Sequence, residues 1–288
     1  MSLGRSLKRL YRGLPIIREL RALRRSVDQM HVTLLRSAVA TLQVQASQDP
    51  RYADPIRLLR YGVQTFSQNG EDGMVAEIFR RIGTAACEFV EIGSGSGLEN
   101  NTVMWLAQGW KGWWVEGDRR AVERIKRSFR KPLASGQLTV AETAVTAENA
   151  PELLAGMGVP AEFDLLSVDI DRNTYWIWAA LGTWRPRVAV IEYNSLYPPG
   201  IDWKAEYHAG QAWNGTSYFG ASLKAYELLG RRLGYSLVGC DFMGVNAFFV
   251  RDDLCGARFA APFTAENHYE PPRYNLRVRM GHPPGFSD

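Results

Sequence analysis

Two carboxylates stand at i and i+2 in Leu166-Ser-Val-Asp169-Ile-Asp171-Arg-Asn173. Alternate residues of an extended chain share a face, so Asp169 and Asp171 could converge on one divalent cation or one substrate hydroxyl. Ile191-Glu192-Tyr-Asn194 repeats the spacing with two more oxygen-bearing side chains. Asp169, Asp171, Glu192 and Asn194 include no soft donor, and as a set they would suit Mg²⁺ or a similar hard cation. The plain alternative is that Asp171 and Asn173 cap a following helix, as short carboxylates and amides commonly do. A hydroxyl acceptor is a poor nucleophile and needs a base or a cation to lower its pKa. Asp169 and Asp171 are candidates for that work. His208, in Trp203-Lys-Ala-Glu-Tyr-His208, is a third, although a lone loop histidine is commonly incidental.

A second constellation is Glu91-Ile-Gly93-Ser-Gly95-Ser-Gly97, with Glu116 nineteen residues beyond the last glycine. Glycines after a strand let the backbone turn tightly and approach a ligand. A carboxylate at the end of the next strand is placed for a ribose diol, and together they indicate an adenosine-type ligand. The spacing is G-x-G-x-G, not the G-x-G-x-x-G that aims a helix N-terminus at a pyrophosphate. Glu91, two residues before the first glycine, would repel a pyrophosphate but suits a ligand carrying an ammonium and a sulfonium. S-adenosylmethionine has both. Asp171 could also touch the methionine end of that ligand with no metal present.

The elements that must hold these residues alternate. Apolar runs at 89–92, 113–116, 138–140, 163–168 and 188–191 read as strands, separated by helices at 101–108, 119–130, 151–155 and 174–181. Strands separated by helix-length segments imply a parallel sheet covered on both faces. After a helix at 222–233, the strands 235–238 and 247–250 lie too close for a crossover and must pair antiparallel. The expected fold is therefore α/β and Rossmann-like, in the class I methyltransferase layout. Its sheet would be mostly parallel and seven-stranded with a terminal antiparallel hairpin, preceded by an N-terminal helical extension. The fourth and fifth strand ends would neighbour the first at the topological switch point. About thirty residues rich in Tyr, Trp, Pro and Gly follow the fifth strand, a position that usually sets substrate specificity. Tyr193, Tyr197, Trp203, Tyr207, Trp213 and Tyr218 fall there, able to stack on a ligand's ring faces or simply to pack the loop.

Charge separates the start of the chain from the rest. The 288 residues carry +4, but residues 1–48 alone carry +7, leaving −3 for the remainder. A mildly acidic body argues against a nucleic-acid-binding core. In the leader, Leu7, Leu10, Leu14 and Ile17, then Leu20, Leu23, Val27, Met30 and Leu34, form one apolar stripe among arginines. Two partners fit it: an anionic lipid surface, or a second helix in a coiled coil and hence a homo-oligomer. No run of 18 apolar residues or secretory signal is visible, and three cysteines without metal-ligand spacing suggest a reducing compartment. The expected location is cytoplasmic, with peripheral attachment to the inner face of the membrane if the stripe meets lipid. The expected divisions are a basic helical extension at 1–60, a catalytic domain at 61–255 and a Pro-rich tail at 256–288.

Phe66-Ser-Gln68-Asn69-Gly-Glu71-Asp72-Gly73, Phe89-Val-Glu91-Ile-Gly93, Glu99-Asn-Asn101-Thr102 and Gly109-Trp-Lys-Gly112 resemble the FkbM-like branch of S-adenosylmethionine-dependent methyltransferases. So do 168–173, 191–194 and 246–250, and the resemblance spans about residues 61 to 252. It implies O-methylation, often of a sugar hydroxyl in a polysaccharide or glycosylated natural product, so the acceptor would be a glycan or glycoside. It further implies that Gln68, Asn69, Glu71, Asp72 and Asn101 lie beside the cofactor, held by Glu91, Gly93, Gly95, Gly97 and Glu116. Related sugar methyltransferases bind Mg²⁺ at the Asp169–Asp171 position, with acids after the fifth strand; here Glu192 and Asn194 replace an Asp-Asp pair. The rival enzyme reading is a metal-dependent glycosyltransferase holding a nucleotide sugar through Asp-x-Asp, which gives the glycine turn no role. A non-catalytic scaffold is the other alternative.

Overall fold

The computed structural model describes residues 15–274. The chain divides into two compact units, 1–48 and 49–288. Leu7, Leu10, Tyr11, Leu14 and His282 lie outside the described residues. The first unit contains one long helix, α1 (Pro15–Ser47), on which Leu20, Leu23, Val27, Met30 and Leu34 form an exposed apolar stripe as the spacing predicts, with Ile16, not Ile17, continuing it toward the start.

The second unit holds β1 (Glu88–Ile92), β2 (Lys111–Glu116), β3 (Leu138–Glu142), β4 (Leu165–Val168), β5 (Val188–Glu192), β6 (Tyr235–Cys240) and β7 (Asn246–Arg251). They form one sheet in the order β3-β2-β1-β4-β5-β7-β6. The central strands are apolar on both faces because both are covered: all four residues of β4 are buried, as are the last four of β1. Neighbouring side chains pack into opposite layers, Phe89 and Phe248 into one core and Val90 and Phe249 into the other. β1 to β5 pair in parallel, while β7 inserts antiparallel between β5 and β6. This is the Rossmann-like sheet of the class I methyltransferase fold. The insertion sets Asn246 directly opposite Glu192, so the last strand delivers a side chain to the carboxyl edge of the parallel strands.

Helices α2 (Glu71–Ile82), α3 (Val103–Ala107), α4 (Arg119–Ser128), α5 (Ala150–Gly156), α6 (Thr174–Ala180) and α7 (Leu223–Leu233) flank the sheet, and α8 (Ala265–His268) follows it. The second unit begins at Asp49, and in it Arg51, Tyr52 and Arg57 bond to Tyr269, Glu270 and Asn267. The same bonds bring residues 256–274 into the body, where sequence alone suggested a tail. Asp164 fixes the start of β1: its carboxylate accepts the N–H groups of Ala85, Ala86 and Cys87 and pairs with Arg187. Ala144 to Phe163 and Tyr193 to Ser222 carry the connections that reach the carboxyl edge, where the chemistry-bearing residues gather.

Candidate active site

Two cavities meet at that edge. The first is a polar recess of about 110 Å³ walled by the glycine turn, Glu71, Glu91, Asn100, Asn101 and Asn246. The second, about 560 Å³, is walled by Asn69, Asp171, Glu192, Tyr193, Trp213, Phe219 and Tyr274. Gln68 and Asp169 line both.

Each glycine of the turn answers a different constraint. Gly93 has φ +87°, and a Cβ there would lie 1.7 Å from the carbonyl oxygen of Asp169, so only glycine lets β1 end against β4. A Cβ on Gly97 would strike Trp114 and Phe129. Gly95 differs, since a Cβ there would meet open space. Gly93 and Gly95 line the recess, while Gly97 packs behind it. Glu116 reaches back to the turn, accepting from the Gly95 and Asp118 N–H groups at 2.6 and 2.7 Å.

Glu91 is buried at the recess floor and accepts from the Asn101 N–H and the Thr102 hydroxyl. Burial pushes its carboxyl up to about 7, against the pull of those donors. Glu71 accepts from Asn69 and from the Asn246 amide, which ties α2 to β7. Asp72 turns the other way: its Oδ2 accepts the N–H groups of Thr65, Phe66 and Ser67, so it shapes the loop that carries Gln68.

Asp169, Asp171 and Glu192 each bring a carboxylate oxygen within 4.8 Å of the others. The pleat does not achieve this, because β4 ends at Val168 and Asp171 sits in the left-handed region at φ 56°. Asp is among the residues that tolerate that conformation, at some cost in strain. Desolvation and then the charge of Asp171 raise the Asp169 carboxyl to about 6. Desolvation, then the charges of Asp169 and Asp171, hold Glu192 well above the usual carboxylate range, and its side chain bonds to Asp169. Asp169 and Glu192 thus form a close, buried carboxyl pair that lines the larger cavity. Neither Asp171 nor Asn173 caps α6: the Asn173 amide bonds to the main chain of His208.

Two expected participants lie elsewhere. The His208 side chain is exposed and lines neither cavity, leaving the carboxylates as the available bases. Asn194 is fully buried, donating to the carbonyls of Ser217 and Phe219 and accepting from Leu196 N–H, so it anchors the loop and leaves the oxygen cluster at three carboxylates. The loop aromatics divide in the same way. Tyr193 and Trp213 line the cavity, Tyr197 stacks on Trp203 at 4.2 Å, Tyr218 meets Trp203 edge-on, and Tyr207 bonds to Glu148 and Ala147.

The recess also presents groups that sequence reasoning missed. Ser94 Oγ, both amide atoms of Asn100 and Asn246 Oδ1 are buried at its wall with no partner, as are Asn69 Oδ1 and Glu192 Oε2 on the larger cavity. Buried polar atoms are mostly paired, so these six are available to a polar ligand or to water. The recess has room for about four waters, so an adenosyl-sized ligand must extend past it over the open side at Gly95. Tyr274, from the segment read as a tail, closes the far wall through a hydrogen bond to Ser195.

No family model matches the chain, and no curated protein does. Among solved structures it is similar to an S-adenosylmethionine-dependent methyltransferase from Clostridium acetobutylicum ATCC 824, at 11% identity over 62% of this chain and 89% of that one, TM-score 0.38. It is similar to a putative O-methyltransferase from Klebsiella pneumoniae at 17% identity, 55% and 73% coverage and TM-score 0.36. A third is the glycopeptide N-methyltransferase MtfA complexed with S-adenosyl-L-homocysteine, at 12%, 65% and 92%, TM-score 0.38. The fold assignment rests on the strand order of this chain. No described helix is long and apolar enough to cross a membrane.

Proposed function

We propose that this chain is an S-adenosylmethionine-dependent O-methyltransferase of the FkbM-like type, acting on a sugar hydroxyl of a glycan or glycoside. The observation that carries the reading is the shared wall: Asp169 and Gln68 separate a polar recess at the glycine turn from a larger, aromatic-lined cavity. Two ligands meeting there would meet at a carboxylate. Glu91, Asn100, Asn101 and the Ser94 hydroxyl would hold the cofactor's charged and polar end, with Glu116 beyond Gly95 on the ribose side. The cofactor supplies a methyl group on a positively charged sulfur. The chain supplies position and a proton acceptor: the Asp169–Glu192 pair takes the hydroxyl proton as the oxygen forms its bond to the methyl carbon, and the carbon–sulfur electron pair stays on sulfur. Trp213 and Tyr274 are the exposed rings of that wall and offer faces on which sugars stack.

A second reading of the same trio is a hard divalent cation held by Asp169, Asp171 and Glu192, supported by their convergence and by the unpartnered Glu192 Oε2. Such an ion would lower the pKa of the acceptor hydroxyl. The deciding experiment is calorimetric titration with S-adenosylmethionine and S-adenosylhomocysteine, with Mg²⁺ and with EDTA, followed by transfer of labelled methyl to glycosides. Micromolar binding that survives EDTA is the expected result. No binding of either compound, with binding of UDP- or GDP-sugars instead, would overturn the methyltransferase reading.

A further inference from the structure

The cavities, the carboxylate trio and the specificity loop belong to the site already described, but α1 is explained by none of them. Ile16, Leu20, Leu23, Val27, Met30 and Leu34 recur along it at alternating intervals of four and three, and Val44 returns to the same register after Ser37 and Thr41, while Ile17, Val32, Leu35, Val39 and Leu42 lie off this line. The seven residues on the line are exposed, from 49% at Val27 to 70% at Leu34. A strict four-three repeat has a period of 3.5, which drifts on a straight helix and stays on one line only when two helices supercoil.

We infer that α1 forms a parallel two-stranded coiled coil with a second copy of this chain. With Leu20, Val27 and Leu34 at a positions, and Ile16, Leu23 and Met30 at d, the flanking e and g positions carry Ile17, Glu19, Arg24, Ser26, His31 and Thr33. Five of these six are polar, so between Ile16 and Leu34 the apolar seam is little wider than two residues in seven. A lipid-facing helix needs a broader band and usually aromatic anchors, and Pro15–Ser47 contains no aromatic residue. Charge selects the orientation. In a parallel pair the g residue of one helix meets the following e residue of the other, which brings Glu19 to Arg24 of the second copy twice over. An antiparallel pair would set e against e, gathering Arg24 and His31.

The test uses the full chain. Light scattering should give twice the 32.4 kDa chain mass. Leu23→Glu with Met30→Glu should give a single-chain mass while the melting of the body is retained. Arg24→Glu should raise the dimer dissociation constant roughly fivefold, and adding Glu19→Arg should restore it, as exposed ion pairs exchange partners. Leu20→Cys and Leu34→Cys should each cross-link to the identical position, in a background where Cys87→Ser removes the partly exposed native thiol. Three results would overturn the proposal: a wild-type monomer, a dimer unaffected by the two glutamates, or failure of both cysteines to cross-link. A monomer that pellets with phosphatidylglycerol vesicles would assign the seam to lipid. None of these outcomes bears on cofactor binding, so the proposal stands or falls apart from the proposed activity.

Discussion

Glu91→Gln should make the protein more stable and a poorer binder at once. Burial holds the Glu91 carboxyl at about 7 in the folded chain, against 4.5 for an ordinary glutamate. The folded value is the higher, so its contribution to stability is full below pH 4.5 and lost as pH rises through 7. The loss approaches 3 kcal/mol above that pH. Glutamine keeps a carbonyl to accept from Asn101 or Thr102 and sheds the charge, at about 1 kcal/mol for the altered hydrogen bond. At pH 8 the ligand-free variant should therefore melt roughly 4–8 °C above the wild type. Binding should move the other way. A cationic sulfur beside Glu91 favours the carboxylate, so about 0.8 proton should leave the site on binding at pH 6.5 and almost none at pH 8.5. Wild-type affinity for S-adenosylmethionine should tighten roughly tenfold from pH 6 to pH 8, or 1.4 kcal/mol. Calorimetry in buffers of different ionisation enthalpy measures the proton, and the variant should release only what the ligand's own amine supplies. A variant that melts lower than wild type at pH 8 and releases the same proton would refute the assignment of the charge to Glu91.

Other outcomes follow from the site. Asp169→Asn should lower methyl transfer by about 10²- to 10⁴-fold, the usual worth of a general base, with calorimetric cofactor affinity largely kept; equal loss of both would make Asp169 a cofactor ligand instead. Trp213→Ala should raise the acceptor KM with little change in kcat, because Trp213 lines only the larger cavity. Asn194→Ala removes two hydrogen bonds to the loop at 217–219, and proteolysis at that loop should quicken while cofactor binding is unchanged. Asp164→Ala leaves three main-chain N–H groups and Arg187 without their carboxylate and should cost about 3–5 kcal/mol in urea unfolding.

The sheet was legible because its strands are buried on both faces. A run such as Leu165–Val168 has no polar side, and only a covered parallel strand uses such a run between helices. The placement of β7 was not legible, since the short link from Cys240 to Asn246 requires antiparallel pairing but is silent about which edge β7 takes. Asn246 was lost with it, because its role depends on lying opposite Glu192. The i, i+2 spacing predicts convergence of the acids through the pleat, whereas a left-handed Asp171 beyond the end of β4 makes it. Residues 256–274 read as a tail because they carry prolines and match no motif, whereas Asn267 and Glu270 are held by partners more than 200 residues upstream.

Burial alone does not mark a carboxylate as chemical in this fold. Asp164, Asp241 and Glu227 are as buried as Glu91, and Asp241 is raised even higher, to about 8, by burial and then the charge of Glu71. Each of the three is spent on its own chain. Asp241 accepts from the N–H groups of Met243, Val245 and Asn246, and Glu227 accepts from the Ala265 N–H and pairs with Lys224 and Arg231. Those partners close turns, and none of the three acids faces either cavity. Asp169 and Glu192 bond chiefly to each other, and the remaining Glu192 oxygen points to no donor. An acid whose partners are main-chain amides is already committed to the fold, whereas an acid paired with another acid still has a proton to exchange. By that distinction Asp169 and Glu192 are the proton acceptors of the proposed reaction, whereas the raised pKa of Asp241 reports burial and the charge of Glu71.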